Sequence, residues 1–333
     1  MQITRVDPLE CDLETADEMA AVHAASMAAD GVALPGQVGP SRLLRMQHMA
    51  DGRPTDAVFL AREGDTLLGF AEMYLPWEEN LDAAMPRGHV HPDHRRRGVG
   101  TALLEACVDL ARSEGRTRVS GGGFTTTPGP TFLRSRGWTT EGMARIAVRR
   151  LDLHETAAST WQALHDEASV RASAYELERL VGPAPEDRLE DLVAVHDAIN
   201  DAPAEDPDNE PDVWTADRVR RLDAAMAARH QTTYRVLARH RASGAWAGMS
   251  LLCVDEFDPR VAFQEDTNVV HAHRGHRLGL LMKADMLRWI TDERPEVAAT
   301  DTWNATDNHH MIAVNERLGC TVVAEFQGAR GLI

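Results

Sequence analysis

The strongest constraint on this chain is a short Arg/Gly loop that occurs twice. The run from His91 through Arg95, Arg96, Arg97, Gly98, Val99 and Gly100 ends a strand-like segment and opens one in which Ala102, Leu103, Ala106 and Leu110 recur at helical spacing. The second copy, His273, Arg274, Gly275, His276, Arg277, Leu278 and Gly279, precedes Leu280, Leu281, Met282, Met286, Leu287 and Ile290 in the same rhythm. A strand that breaks into such a loop and re-enters as a helix is built to hold phosphate. Glycine lets the backbone turn tightly near an anion, and the free N–H groups and positive dipole end of the helix point at it.

The elements around the two loops follow the same order. In the first half the pattern predicts a strand over 1–6, helices over 12–29 (with Asp12 as cap) and 41–49, and strands over 57–61, 67–75 and 86–90. The loop helix, a strand over 117–120, a short helix over 131–136 and a strand pair within 138–151 complete it. After a linker helix over 160–172, the second half predicts a strand over 175–180, helices over 186–199 and 216–228, and strands over 233–238, 247–254 and 262–270. Its loop helix runs to Trp289, followed by a strand over 297–303, a helix over 308–318 and a strand over 321–325. An order repeated at this interval implies a duplicated domain, with the halves placed at 1–155 and 156–333.

Composition narrows the partners. All but one of the 35 basic residues are arginine, the exception being Lys283, and they face 52 acidic residues for a net charge of −17. Binding nucleic acid through its phosphates needs a basic surface, so no nucleic-acid partner is expected. No apolar run approaches membrane length and no signal-peptide core opens the chain, so the expectation is a cytoplasmic protein with no membrane partner. Cys11, Cys107, Cys253 and Cys320 are scattered without metal-ligand or disulfide spacing, and no metal is expected. Acidic residues crowd the segment holding Asp201, Glu205, Asp206, Asp208, Glu210 and Asp212, whose prolines exclude regular structure.

The order Arg-x-x-Gly-x-Gly between a strand and a long helix resembles the acetyl-CoA-binding segment of the GNAT superfamily of N-acyltransferases. Arg95, Gly98 and Gly100 match it in full; in the second copy Arg274 and Gly279 match, and Arg277 stands where the first glycine is expected. The duplication is similar to that of the mycothiol synthases and of other tandem actinobacterial members. The resemblance implies a mixed α/β (α+β) fold of two tandem GNAT domains, each a central, mostly antiparallel mixed sheet flanked by helices, with acetyl-CoA as cosubstrate. It also implies that loop amides of Arg95, Arg96, Arg97, Gly98, Val99 and Gly100, and of Arg274, Gly275, His276, Arg277, Leu278 and Gly279, hold the pyrophosphate. The thioester carbonyl falls to backbone N–H groups of Gly88, His89 and Val90 in the first half and Thr267, Asn268 and Val269 in the second.

A carboxylate on that strand often serves as base in the family, and Glu265 and Asp266 are placed for it; the first half offers only His89 and Glu72 nearby. Asn304 and Asn308 fit the family's asparagine near the next helix. Asn315 replaces the tyrosine that often protonates the departing thiolate, and Thr126 and Leu133 stand at the matching places in the first half. Each feature has a plainer reading. Glu265 and Asp266 can be ordinary arginine partners, His309 and His310 an exposed helix start, and Trp77, Glu78 and Glu79 a packed turn. The acidic segment is either a solvated loop or a wall of the acceptor site that concentrates cations. The sequence therefore points to acetyl transfer to the primary amine of a small cationic molecule, with a non-catalytic acetyl-CoA-binding module as the alternative. The oligomer expected is a monomer acting as a pseudo-dimer, or a homodimer.

Overall fold

The computed structural model describes residues 1–203 and 206–333, so Glu205 lies outside the described residues. The chain forms β1 (Gln2–Val6), α1 (Leu13–Ala29), α2 (Gly39–Gln47), β2 (Ala57–Glu63), β3 (Thr66–Tyr74), β4 (Ala83–Val90), α3 (Val99–Ser113), β5 (Arg118–Phe124) and α4 (Gly129–Ser135). It continues through β6 (Arg145–Asp152), α5 (Ala158–Arg171), β7 (Tyr175–Val181), α6 (Leu189–Asp197), α7 (Ala216–Ala228), β8 (Gln231–His240) and β9 (Trp246–Asp255). The last elements are β10 (Val261–Val269), α8 (Leu278–Glu293), β11 (Ala299–Ala305), α9 (His309–Leu318) and β12 (Thr321–Leu332).

Two compact units result. The first takes Met1–Ile146, the described part of 204–211, and Val323–Ile333; the second takes Ala147–Pro203 and Asp212–Val322. The strand order of the first is β1-β2-β3-β4-β5-β12, so its last strand comes from the far end of the chain, while β6 stands beside β11 in the second, whose order continues β10-β9-β8-β7. The sequence reading put a strand pair within 138–151. The structure has one strand there, β6, and a single antiparallel bridge from Thr139 to Arg330. The pairing capacity of β5 goes instead to β12, in register from Phe326 opposite Phe124 to Leu332 opposite Arg118. Glycine makes this pairing possible, since a Cβ on Gly331 would lie 2.8 Å from the Trp138 ring.

In the first unit, alternation along β2 sends Phe59 and Ala61 to the face packed with α3 (Leu103, Cys107) and Val58 and Leu60 to the face packed with Met19, Val22 and Met46. Both faces are covered, which is why β2 and β3 read as continuous apolar runs. The second unit repeats the scheme. Val236 and Leu252 meet Leu281, Met286 and Trp161 on one face, and Leu237, Met249 and Leu251 meet Leu192, Val195 and Val219 on the other. Each such side chain contributes about 1.5–3 kcal/mol when buried. All four cysteines are free thiols; burial pushes Cys11 up to about 11 and Cys107 up to about 12, which removes them as nucleophiles.

Candidate functional site

In each unit two neighbouring parallel strands part. β4 and β5 are in register only at Ala83 opposite Arg118 and Ala84 opposite Val119; beyond that β4 runs on beside β3 as far as Val90. In the second unit β10 and β11 stay paired from Val261 opposite Ala299 to Gln264 opposite Thr302. A bulge then interrupts β10 between Gln264 and Thr267, after which Thr267, Asn268 and Val269 pair with Ser250, Met249 and Gly248 of β9. Gly88 to Val90 and Thr267 to Val269 therefore each lie where a strand keeps one neighbour and has left the other. Their amides on the open side are not used by the departing strand.

The loops that follow share one backbone. After a three-residue 3₁₀ turn, Arg95 and Arg274 are extended, at φ −67°, ψ 160° and φ −71°, ψ 163°. The next residue is left-handed in both, Arg96 at φ 61° and Gly275 at φ 83°, and so is the residue before the helix, Gly98 at φ 84° and Arg277 at φ 60°. Glycine and arginine have exchanged places between the two left-handed positions. Arg277 thus occupies the conformation that its missing glycine would have taken, at a cost of about 1–2 kcal/mol, and it is held by Glu167, which also binds Arg317. Neither helix has a side-chain cap at this end, so the first-turn N–H groups of Val99, Gly100, Leu278 and Gly279 stay available to a ligand. A Cβ on Gly98 or Gly275 would meet nothing within 4 Å, which leaves the loop surface open.

The first arginine of each motif has a positioning part. Arg95 donates to the Val90 carbonyl (3.4 Å) and pairs with Asp30 (2.7 and 2.9 Å) just past α1. Arg274 donates to the Val269 carbonyl (3.2 Å) and pairs with Asp201 (2.5 Å) after α6. Arg97 pairs with Glu63 at 3.0 Å. Arg96 and His276 remain on the loops, with the His276 ring tilted against Tyr175 at 5.4 Å between centroids.

The faces beside the splayed strands differ in chemistry. In the first unit Glu72 is bound by Arg42 at 2.5 Å, and Arg42 is itself buried. His89 packs edge-on against His23 with centroids 4.4 Å apart; burial first, then the neighbouring His23 and Arg42 charges, pushes His89 down to about 3, so it stays neutral. Burial and Arg42 likewise push His23 down to about 4. In the second unit the bulge parts Glu265 from Asp266. Glu265 lies on the side of the buried Cys253, which its charge helps to raise. Asp266 is half-buried and faces Asn268 and Asp212; burial, with the Asp212 charge behind it, pushes its carboxyl up to about 6, against the pull of an Asn268 hydrogen bond. Asn268 is itself buried.

The remaining expected residues have the following partners. The side chain of Asn308 caps α9, accepting from Met311 N at 3.2 Å. Asn304 accepts from Asn315 Nδ2 at 2.7 Å. His309 and His310 are exposed at the start of α9, and Trp77 Nε1 donates to Asp51 (2.7 Å) under the Arg53 guanidinium. The described acids of the segment have partners, and Asp206 is the one among them that is buried. Asp206, 2% exposed, pairs with Arg118 (2.8 Å) and Arg330 (3.2 Å) and accepts from Ser120 (2.9 Å), all in the first unit. Asp208 binds Arg330, Glu210 accepts from Asn80 N (2.7 Å), and Asp212 pairs with Arg218 (2.9 Å). Among the described residues no group of three His, Cys, Asp or Glu is placed to hold a metal, and no helix is long and apolar enough to cross a membrane.

A paired set of splayed strands, each feeding an uncapped helix, decides the class. Residues 31–124 match the acetyltransferase (GNAT) family. The tandem GNAT protein from the clavulanic acid biosynthesis pathway superposes with a TM-score of 0.81 at 24% identity, over 99% of this chain and 98% of that one. The chain has the tandem GNAT fold. A GCN5-related N-acetyltransferase from Sphaerobacter thermophilus superposes with a TM-score of 0.68 at 15% identity, over 99% of this chain and 95% of its own. The mycothiol acetyltransferase of Sanguibacter keddieii is 33% identical over 115 residues. That match spans 33% of this chain and about a third (35%) of the relative's length. Within this GNAT frame, sequence reasoning missed Asp212 as the electrostatic partner of Asp266, and it gave no role to Lys283, whose only signal was being the one lysine.

Proposed function

We propose that the chain is an acetyl-CoA-dependent N-acetyltransferase acting on the primary amine of a small, positively charged molecule, with chemistry in the second unit. The observation that carries this reading is Asp266, set by the β10 bulge at the point where β10 leaves β11 and poised near 6. A carboxyl in that range is ionised at neutral pH yet basic enough to take a proton from an ammonium or from the nitrogen as it forms its new bond. Asp212 and Asp266 together favour a cationic acceptor. Acetyl-CoA, when bound, supplies the activated acetyl group. Loop amides of 274–279 suit its pyrophosphate, and those of 267–269 suit the thioester carbonyl.

The first unit favours the second reading, a cofactor binder without catalysis. Its loop 95–100 is equally open, but Glu72 is held by Arg42 and His89 stays neutral against His23, so among the described residues no base is poised beside β4. Calorimetric titration of acetyl-CoA into the wild type, Gly100→Trp and Gly279→Trp counts the sites. Release of free CoA across an amine panel, lost in Asp266→Asn, locates the chemistry. Binding lost only with Gly100→Trp would overturn the assignment to the second unit, and a Michaelis constant insensitive to salt would overturn the cationic acceptor.

A further inference from the structure

The proposed reaction leaves one proton unassigned. When the C–S bond of the thioester breaks, sulfur keeps the electron pair and an acid must protonate it for CoA to leave as a thiol. All three tyrosines of the chain are occupied elsewhere. Tyr74 is in β3 of the first unit and bonds Asp51 (3.1 Å), Tyr175 on β7 bonds His273 (3.0 Å), and Tyr234 on β8 accepts from Arg294 (3.0 Å). The position where the GNAT resemblance expects a tyrosine holds Asn315, 0% exposed, whose Nδ2 is committed to Asn304 and whose Oδ1 has no partner. An amide has no proton to give at neutral pH.

A different acid stands on that side of the sheet, Lys283. Thr267 shares its hydroxyl with Ser250 (3.0 Å), Gln264 donates to the Leu251 carbonyl (2.6 Å), and the Cys320 thiol is pushed up by burial. Lys283 lies on α8 one turn beyond Gly279. The helix packs on β10 and α9, and a Cβ on Gly279 would sit 3.9 Å from Thr267 Cγ2, on the part of β10 that has left β11. Lys283 is 5% exposed, and it and Cys320 feel each other's charge, which places the ammonium toward α9 and the end that follows Asn315. No carboxylate pairs with it among the described residues. Burial pushes it down to about 8, close to the range of an ordinary thiol, where transfer between nitrogen and sulfur costs least. Every other basic side chain of the Lys/Arg class here is arginine, which holds its proton too tightly for this task.

We propose that Lys283 is the general acid of the second site, its ammonium protonating the sulfur of departing CoA from between α8 and α9. This rests on the acetyl-transfer reading above. The neutral amine forms the C–N bond, the C–S bond breaks with its electrons on sulfur, and the Lys283 ammonium gives one proton to that sulfur. Asp266 takes one proton from the acylated nitrogen, and solvent restores both groups. The products are the amide and CoA thiol.

The test uses the full chain as wild type, Lys283→Met, Lys283→Arg and His310→Asn, each checked for folding by circular dichroism. Met fills the same space without a buried charge, and Arg keeps the charge without a transferable proton. Calorimetry with acetyl-CoA comes first; no binding by the wild type would sink the acetyl-transfer reading itself. With binding intact, the thiol of bound CoA is titrated by its thiolate absorbance. It is expected to ionise about one pH unit lower in the wild type, Lys283→Arg and His310→Asn than in Lys283→Met. Thiol release from acetyl-CoA, to water or to putrescine as probe amine, is expected to fall roughly a hundredfold in both Lys283 variants and to stay unchanged in His310→Asn. Identical titrations in wild type and Lys283→Met, or full release by Lys283→Arg, would overturn the proposal.

Discussion

Replacing Asp266 by Asn should inactivate the protein and stabilise it at the same time. The structure holds this carboxyl near 6, against about 3.9 in an unfolded chain, because burial and Asp212 oppose its charge. A carboxyl raised on folding costs nothing when both states are protonated, below about pH 3.9, and its full penalty applies once pH exceeds the folded value. The gap of about two pH units corresponds to about 3 kcal/mol at pH 8, an upper bound because Asp266 is half-buried, and to roughly half that at pH 5. Asparagine keeps the shape and the Asn268 contact but carries no charge. Urea unfolding at pH 8 should therefore show the variant more stable by up to about 3 kcal/mol, with a smaller gain at pH 5. The same substitution removes the base, so kcat should fall by about 10²–10⁴ while the wild-type rate rises through an apparent pKa near 6. A variant no more stable at pH 8 than the wild type would refute the burial argument. Retained turnover would refute the assignment of the base.

Asp206→Ala should cost the first unit about 3 kcal/mol, because it strips buried Arg118 of one partner while Asp82 remains at 2.8 Å; the expected fall in melting temperature is roughly 6–12 °C, with the Michaelis constant for any amine unchanged. Glu72→Gln should destabilise by about 2–3 kcal/mol by leaving Arg42 buried without a counter-charge and leave turnover intact; lost turnover would restore the first unit as a catalyst. Arg277→Gly relieves a left-handed residue but loses the Glu167 pair, so stability should stay within about 1 kcal/mol and calorimetry should give an acetyl-CoA affinity within a few fold of wild type.

Much of the fold is legible in local pattern. The periodicities around residues 57–75 and 233–254 give the strands, because both faces of each sheet are buried, and the Asp12 cap closes onto Thr15 N at 2.8 Å as its residue type predicts. The loops were legible too; Arg277 stands where a glycine was expected, and tertiary support lets it take the glycine conformation. The acidic segment was read by charge alone, and charge does not reveal its counter-ion. Arg118 and Arg330 lie 88 and 124 residues from Asp206 in sequence.

The repeat, most of the strand and helix order, the two Arg/Gly loops and the candidate carboxylates can be read from the chain itself, since these follow from spacing, turn chemistry and helix dipoles. Folding in three dimensions is what lets β12 complete the first sheet, draws Asp206 into the first unit's core, and buries Asp266 and Lys283 so that their protons move toward neutral pH. Periodicity is written in neighbours a few residues apart. Desolvation and ion pairing depend on groups that meet only after the chain has folded.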